Sequence, residues 1–257
     1  MREHGFAYYP IGGIFMKRCI AWFAAALSLA LVAQSTSAQE YRYVPFRRVG
    51  TPALRSLKVG ASIGNLMESY GNEWCAWATS TLPAEGKRPP KPASFKEPED
   101  EWTYDQELAE WETMYAPDKA QDGDVKTAWC EGAKGPGVGE ALAIRVEPAR
   151  DYVIFSGFGK DKALWAKNAR PKEVLLTLLA AEPGAGAAQP GPLLMGLKAV
   201  AQSKATLLDH IGYQELPLPA PKRLENRPYV LVIEILSVYP GSAYEDCLIS
   251  EVTAAEG

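Results

Sequence analysis

From Gly139 to Val252 the chain carries one apolar run after another, most of them with a period of two residues. In "EALAIRVEP" Leu142, Ile144 and Val146 alternate with Ala143 and Arg145, and the same alternation returns in "DYVIFSGF" and "KEVLLTLLA". A period of two places successive side chains on opposite faces of an extended strand, so each run reads as a β-strand with one face inward. "PYVLVIEILSVYPG" is nearly continuous in β-branched and apolar residues, interrupted by Glu234, as expected of a strand covered on both faces. Several short strands with turn residues between them and little helix define an all-β sandwich. No internal repeat is found.

Upstream of these strands the pattern changes. Lys17 and Arg18 precede an apolar run from Ile20 to Val32, and small residues end at Ala38. That is the order of a secretory signal peptide, and the run is shorter than the ~20 residues a bilayer span needs. Residues 1–38 are therefore expected to be a leader, with Met16 as an alternative start and no membrane span after cleavage. Residues 39–73 form an N-terminal segment of unassigned role, in which "YRYVPFRRVG" is a short strand or an arm. The sandwich is assigned to residues 74–252, with a tail at 253–257. Within it, "AEGKRPPKPASFKEPEDE" reads as an exposed loop leading into "WTYDQELAEWETMY", where Leu108, Trp111 and Tyr115 share one helical face and Glu107, Glu110 and Glu112 face water. "AEPGAGAAQPGP" is read as a mobile surface loop.

The chain has 27 Lys and Arg against 31 Asp and Glu. Cleavage would remove Arg2, Lys17, Arg18 and Glu3, and the resulting excess of acid argues against nucleic acid or an anionic lipid surface as partner. His210 is then the single histidine, which leaves zinc chemistry and a Ser/His/Asp triad poorly provided for. Three cysteines remain, Cys75, Cys130 and Cys247, permitting at most one intramolecular disulfide, and spacing does not say which. Paired acids such as Glu131 and Glu140 occur in any acidic protein, so the chain is expected not to be an enzyme.

"DGDVKTAWCEGAKGPGVGE", residues 122–140, concentrates the candidate chemistry. Its glycines precede a strand instead of following one and include Pro136, so they suit tight turns and not a nucleotide loop. Asp122, Asp124 and Thr127 offer hard oxygens of the kind Ca²⁺ takes, or else an Asx turn satisfied by its own backbone. Trp129 either presents its ring to a sugar or anchors the core. In "KDKALWAKNARPK", Trp165, Asn168 and Arg170 combine an aromatic face with an amide and a guanidinium near the end of a hairpin, which is either a sugar-binding set or a polar turn.

"ATSTLP", "YAPDKAQDGDVKTAWCEGAKGPGVGE", "NARPKEVLL" and "VYPGSAYEDCLISEV" resemble, in this order, the discoidin-like translocation domain of bacterial NAD glycohydrolases. That domain is also described as an NADase-type glycan-binding domain and is related to coagulation-factor type C and galactose-binding modules. The resemblance runs over residues 78–252, with residues 84–112 as a short helical insertion. It implies a jelly roll of roughly eight strands that binds a glycan or an envelope or surface protein and does not catalyse. It further implies a structural Ca²⁺ held by Asp122, Asp124, Thr127 and Glu251. Two departures from the family pattern, Cys130 and Cys247, fall where first and last strands run together, and a disulfide between them is expected. The expectation is thus an exported carbohydrate-binding module contacting its ligand through Trp165, Asn168 and Arg170. The alternative is an envelope adaptor that holds a protein partner through the sandwich and the acidic insertion.

Overall fold

A computed structural model describes residues 51–66, 76–182 and 194–255. The expected leader, the "YRYVPFRRVG" segment, Cys75 and most of the Pro/Gly/Ala loop lie outside them. Among the described residues ten strands are formed: β1 (Ser62–Leu66), β2 (Ala76–Ala78), β3 (Trp129–Cys130), β4 (Ala141–Val146), β5 (Tyr152–Ser156), β6 (Arg170–Ala180), β7 (Leu194–Thr206), β8 (Tyr213–Glu215), β9 (Tyr229–Tyr239) and β10 (Leu248–Ala254). They make two antiparallel sheets, ordered β1-β7-β6-β9-β4-β2 and β3-β10-β5-β8. The all-β sandwich read from the period of two is the fold.

The core follows the alternation. Leu142, Ile144, Leu176, Leu178, Leu231 and Ile233 of the larger sheet pack with Trp129, Ile154, Ile249 and Val252 of the smaller one. Trp129 is fully buried and its indole Nε1–H donates to the Ser80 carbonyl at 3.0 Å, so the core reading of this residue holds.

The outer face of the larger sheet is also closed. Val230, Val232, Leu179 and Leu197 form a second apolar cluster with Trp77, and Leu54, Leu57 and Leu66 of the N-terminal segment cover it. This is why β9 reads as continuously apolar: Leu231, Ile233 and Ile235 serve one side, Val230 and Val232 the other. Its one acid, Glu234, accepts the Ser56 N–H at 3.1 Å. Arg55 pairs with the buried Glu140, which also receives the Thr79 and Ser80 hydroxyls. Residues 51–66, of unassigned role in the sequence, are thus a structural lid on the sheet, and β1 is its edge strand.

Two α-helices interrupt the strands among the described residues. The acidic insertion forms α1 (Pro98–Glu112), entered through Pro98 with Glu99, Asp100 and Glu101 in the first turn, a placement the helix dipole favours. Its buried residues are Tyr104 and Leu108, one turn apart, with Trp111 half-buried beside them. Tyr115 lies beyond the helix end at Thr113, so the inward stripe sits one turn earlier than its sequence spacing suggested. The second helix, α2 (Lys162–Lys167), stands where a hairpin end was expected. Asp161 begins it by accepting the Leu164 N–H at 2.8 Å.

Candidate functional site

The Asp-rich loop before β3 is held from two directions. Gly123 N–H donates to Glu251 Oε2 at 2.9 Å, and the Thr127 hydroxyl lies 2.8 and 2.9 Å from the two carboxylate oxygens of Asp122. The same hydroxyl is 2.8 Å from the Asp124 carbonyl and 3.4 Å from that of Lys119. A hydroxyl has one proton to donate, so four oxygens crowd around it where one would suffice. Asp122 and Thr127 therefore meet directly, and Glu251 reaches the same loop through the Gly123 N–H. Asp124 takes part through its carbonyl, while its carboxylate accepts the Lys126 N–H at 2.9 Å. Burial pushes the Glu251 carboxyl up to about 7, the Gly123 N–H offsets part of this, and the Asp122 charge adds to it. Lys119 Nζ, 3.6 Å from Asp122 Oδ2, partly balances the charge. Among the described residues no three His, Cys, Asp or Glu side chains form a ready-made metal site. A hard cation here would be held by carboxylates of Asp122 and Glu251 together with hydroxyl and carbonyl oxygens, a donor set that fits calcium.

Trp165, Asn168 and Arg170 are also brought together, on α2 and the start of β6. The Arg170 guanidinium lies 4.0 Å above the Trp165 ring and 5.8 Å from that of Tyr239, and Lys172 Nζ is 5.6 Å from the same Tyr239 ring. The Trp165 Nε1–H donates to the Ser156 carbonyl at 2.9 Å. A Cβ at Gly157 would sit 2.8 Å from that nitrogen, so only glycine lets the chain leaving β5 pass so close to the indole. Asn168 is buried and its amide donates to the Leu164 carbonyl at 2.9 Å, closing the helix instead of facing outward. Arg170 is buried as well. Its Nε and Nη2 both reach Asp209 Oδ1 at 2.6 Å, and Nη1 donates to the Asn168 carbonyl at 3.3 Å. The free helix-end carbonyls of Ala166 and Lys167 accept the N–H groups of Ser242, Ala243 and Tyr244 at 2.9–3.1 Å, so the β9–β10 loop docks on α2. The Tyr239 hydroxyl holds the β7–β8 turn by donating to Leu207 O at 3.0 Å.

Comparison with known proteins decides the family. The model of the NAD glycohydrolase translocation F5/8 type C domain matches residues 97–255, more than half of the chain. The chain belongs to this family. Among solved structures, the F5/8 type C domain of a Bacteroides fragilis protein is 12% identical over 55% of this chain and 80% of its own, with a TM-score of 0.34. The C-terminal domain of a chitobiase from the same organism is 13% identical over 52% and 78%, with a TM-score of 0.27. A Ruminococcus gnavus GH29 fucosidase, solved with fucose, is 11% identical over 56% and 22%, with a TM-score of 0.24. No curated protein matches the chain. The family match takes in α1, so the acidic helix lies within the matched translocation domain.

In this translocation domain the expected Cys130–Cys247 disulfide is not formed, and both residues are buried free thiols. Strand register gives the reason. Cys130 faces Leu248 across β3 and β10, while the Glu131 main-chain N–H donates to the Cys247 carbonyl at 3.3 Å. Neighbours along a strand point to opposite faces. Cys130 accordingly packs with Ala128 and Leu248, and Cys247 with the inner core beside Ile249. Two thiols on opposite sides of a sheet cannot meet disulfide geometry without moving the backbone.

Glu131 is fully buried and forms no ion pair among the described residues. Its carboxylate accepts N–H groups from Ala133 at 2.7 Å and Cys247 at 3.4 Å, and burial pushes it up to about 7. The glycine turn folds over it: Gly137 has φ of 71° and a Cβ there would lie 2.6 Å from Glu131 Cγ. Sequence reading missed Asp209 and Tyr239. In "LLDHIGYQ", residues 207–214, His210 is the residue whose chemistry stands out, yet Asp209 beside it is the one that reaches Arg170.

Proposed function

We propose that the chain is an exported, non-catalytic module that recognises carbohydrate through the loops around α2. The observation that carries this is the asymmetry at Asp209. Both guanidinium bonds go to Oδ1, and the side chain is 41% exposed, which leaves Oδ2 free to accept a sugar hydroxyl. The half-buried rings of Trp165 and Tyr239 stand beside it, locked by the Arg170 stack and by hydrogen bonds to Ser156 and Leu207. A fixed aromatic face with a planar acceptor next to it is the combination that binds a pyranose, and rigidity lowers the ordering cost of binding. In this reading Trp165, Asp209 and Tyr239 touch the ligand, while Arg170 and Asn168 position them. The Asp122–Thr127–Glu251 oxygens hold a structural Ca²⁺, and the Lys17–Ala38 pattern directs export.

A glycan array with the mature chain tests the reading. Binding that is lost in Trp165→Ala and Asp209→Asn while the fold persists is the expected result. A clean negative with a well-folded sample sinks it and favours the adaptor reading. The observation behind that alternative is α1, which has acids at Glu99, Asp100, Glu101, Asp105, Glu107, Glu110 and Glu112, no Lys or Arg, and Trp102 59% exposed. NAD turnover abolished by a single carboxylate substitution would overturn the non-catalytic assignment.

A further inference from the structure

β9 runs from Tyr229 to Tyr239, and the two ends of such a strand lie roughly 33 Å apart. Tyr239 belongs to the α2 loops, whereas at the Tyr229 end the register sets Val146 opposite Tyr229. The turn between β4 and β5 is thereby placed beside the residues that lead into β9, and a cleft of about 530 Å³ lies between them. We propose that this cleft binds a small molecule through a single carboxylate group, at a site separate from the carbohydrate surface around α2 and independent of that reading.

The polar groups of the cleft are unevenly spent. Tyr152 and Tyr229 each use the phenol oxygen to accept a main-chain N–H, from Glu147 and from Glu225, both at 2.9 Å. A phenol that accepts a hydrogen bond still has its own proton to donate. Arg145 is exposed and has no carboxylate partner among the described residues. Arg227 donates to the Ala181 carbonyl at 3.3 Å and pairs with Glu225, and its buried Nε has no acceptor. Glu225 is occupied by Arg227, which leaves Glu147 as the unspent acid. Donors therefore outnumber acceptors, and an oxyanion supplies what is missing. Two arginines and two glutamates line the cleft, so it lacks the positive surplus that a phosphate dianion needs, while one carboxylate matches the free Arg145 fork. Pro148, Pro228 and Leu224 give apolar walls for the body of such a ligand, and Glu147 can accept from its hydroxyls.

The test is an amide-shift titration of the whole chain with D-glucuronate, inorganic phosphate and D-glucose in parallel. Glucuronate is expected to give saturable shifts at Arg145, Tyr152, Arg227 and Tyr229, with glucose and phosphate giving none. Arg145→Ala should weaken binding at least about tenfold, and Arg145→Lys less, since the ammonium keeps the charge without the fork. Because Arg145 is exposed, an unchanged spectrum elsewhere verifies the fold of both variants. The cleft shifts should survive Trp165→Ala, which separates this site from the carbohydrate surface. Any of three results would overturn the proposal: no saturable shift with glucuronate, an equal response to glucose or phosphate, or unaltered binding by Arg145→Ala.

Discussion

The Asp122 corner and the Trp165 cluster were both legible as candidate sites, and they solve their electrostatics in opposite ways. At the corner, Asp122 and the buried Glu251 belong to one loop cluster in which, among the described residues, Lys119 is the cation paired with Asp122, and the Thr127 hydroxyl faces more oxygens than it can serve. In the cluster the cation is matched: Arg170 has Asp209 on one edge, the Asn168 carbonyl on another and two aromatic rings within reach. Under the proposed function the site short of positive charge takes its cation from outside. A site balanced within itself is a rigid frame, and under the proposed function its ligand contacts are what the frame leaves unspent, Asp209 Oδ2 and the open sides of the rings.

The comparison breaks most directly at Arg170. Arg170→Ala removes a buried guanidinium, strands Asp209 and frees the Trp165 ring, and should cost about 3 kcal/mol in chemical denaturation, together with carbohydrate binding. A loss below about 1 kcal/mol would show that the stack is not the frame.

Calcium sharpens the other half. With free Ca²⁺ at about a hundred times its dissociation constant, the native state should gain about 2.7 kcal/mol and the melting midpoint should rise. Glu251→Gln should abolish most of that gain. A midpoint indifferent to Ca²⁺ and to EDTA removes the cation from the corner.

pH separates the corner from the buried acid under the glycine turn. Glu131 and Glu251 are each held at about 7 in the fold, above the ordinary 4.5, so the folded chain prefers them neutral. Their contribution is full below about pH 4.5 and is lost as pH rises toward 7, which makes the chain less stable at pH 7.5 than at pH 5 by these two groups. Glu131→Gln keeps an acceptor for a backbone N–H and should flatten the slope by roughly 2 kcal/mol. Saturating Ca²⁺ should remove the part due to Glu251. A melting midpoint that rises from pH 5 to pH 7.5 in the absence of Ca²⁺ contradicts the account.

The smallest effect is expected on α1. Trp102→Ala removes a side chain that is 59% exposed and should change stability by less than about 0.5 kcal/mol. A larger loss would mean that the helix packs more tightly than Tyr104 and Leu108 imply.

How much could be read in advance follows from the range of the interactions. Alternation is local, so β4, β5, β6 and β9 were visible in their own residues, and so was the double covering of β9. What covers its outer face was not visible, because Leu54 and Leu57 lie more than a hundred residues away in a weakly periodic segment. Helix α2 is six residues long, too short to express a helical period, and it depends on Asp161 and the β9–β10 loop to satisfy its ends. The cysteine pair shows the opposite failure. The two strands do lie side by side, and a difference of one position in register turned the thiols to opposite faces.

By itself the sequence determined the fold class, the acidic helix and the side chains available at each candidate site, because hydrophobic period, turn residues and residue chemistry are properties of neighbouring positions. Only the tertiary structure decided which of those side chains are spent. Glu251 meeting the Asp122 loop, Asp209 meeting Arg170 and Cys130 missing Cys247 are each fixed by strand register and loop docking between segments distant in the chain. A polar group is free or satisfied only with respect to the partners that folding brings to it.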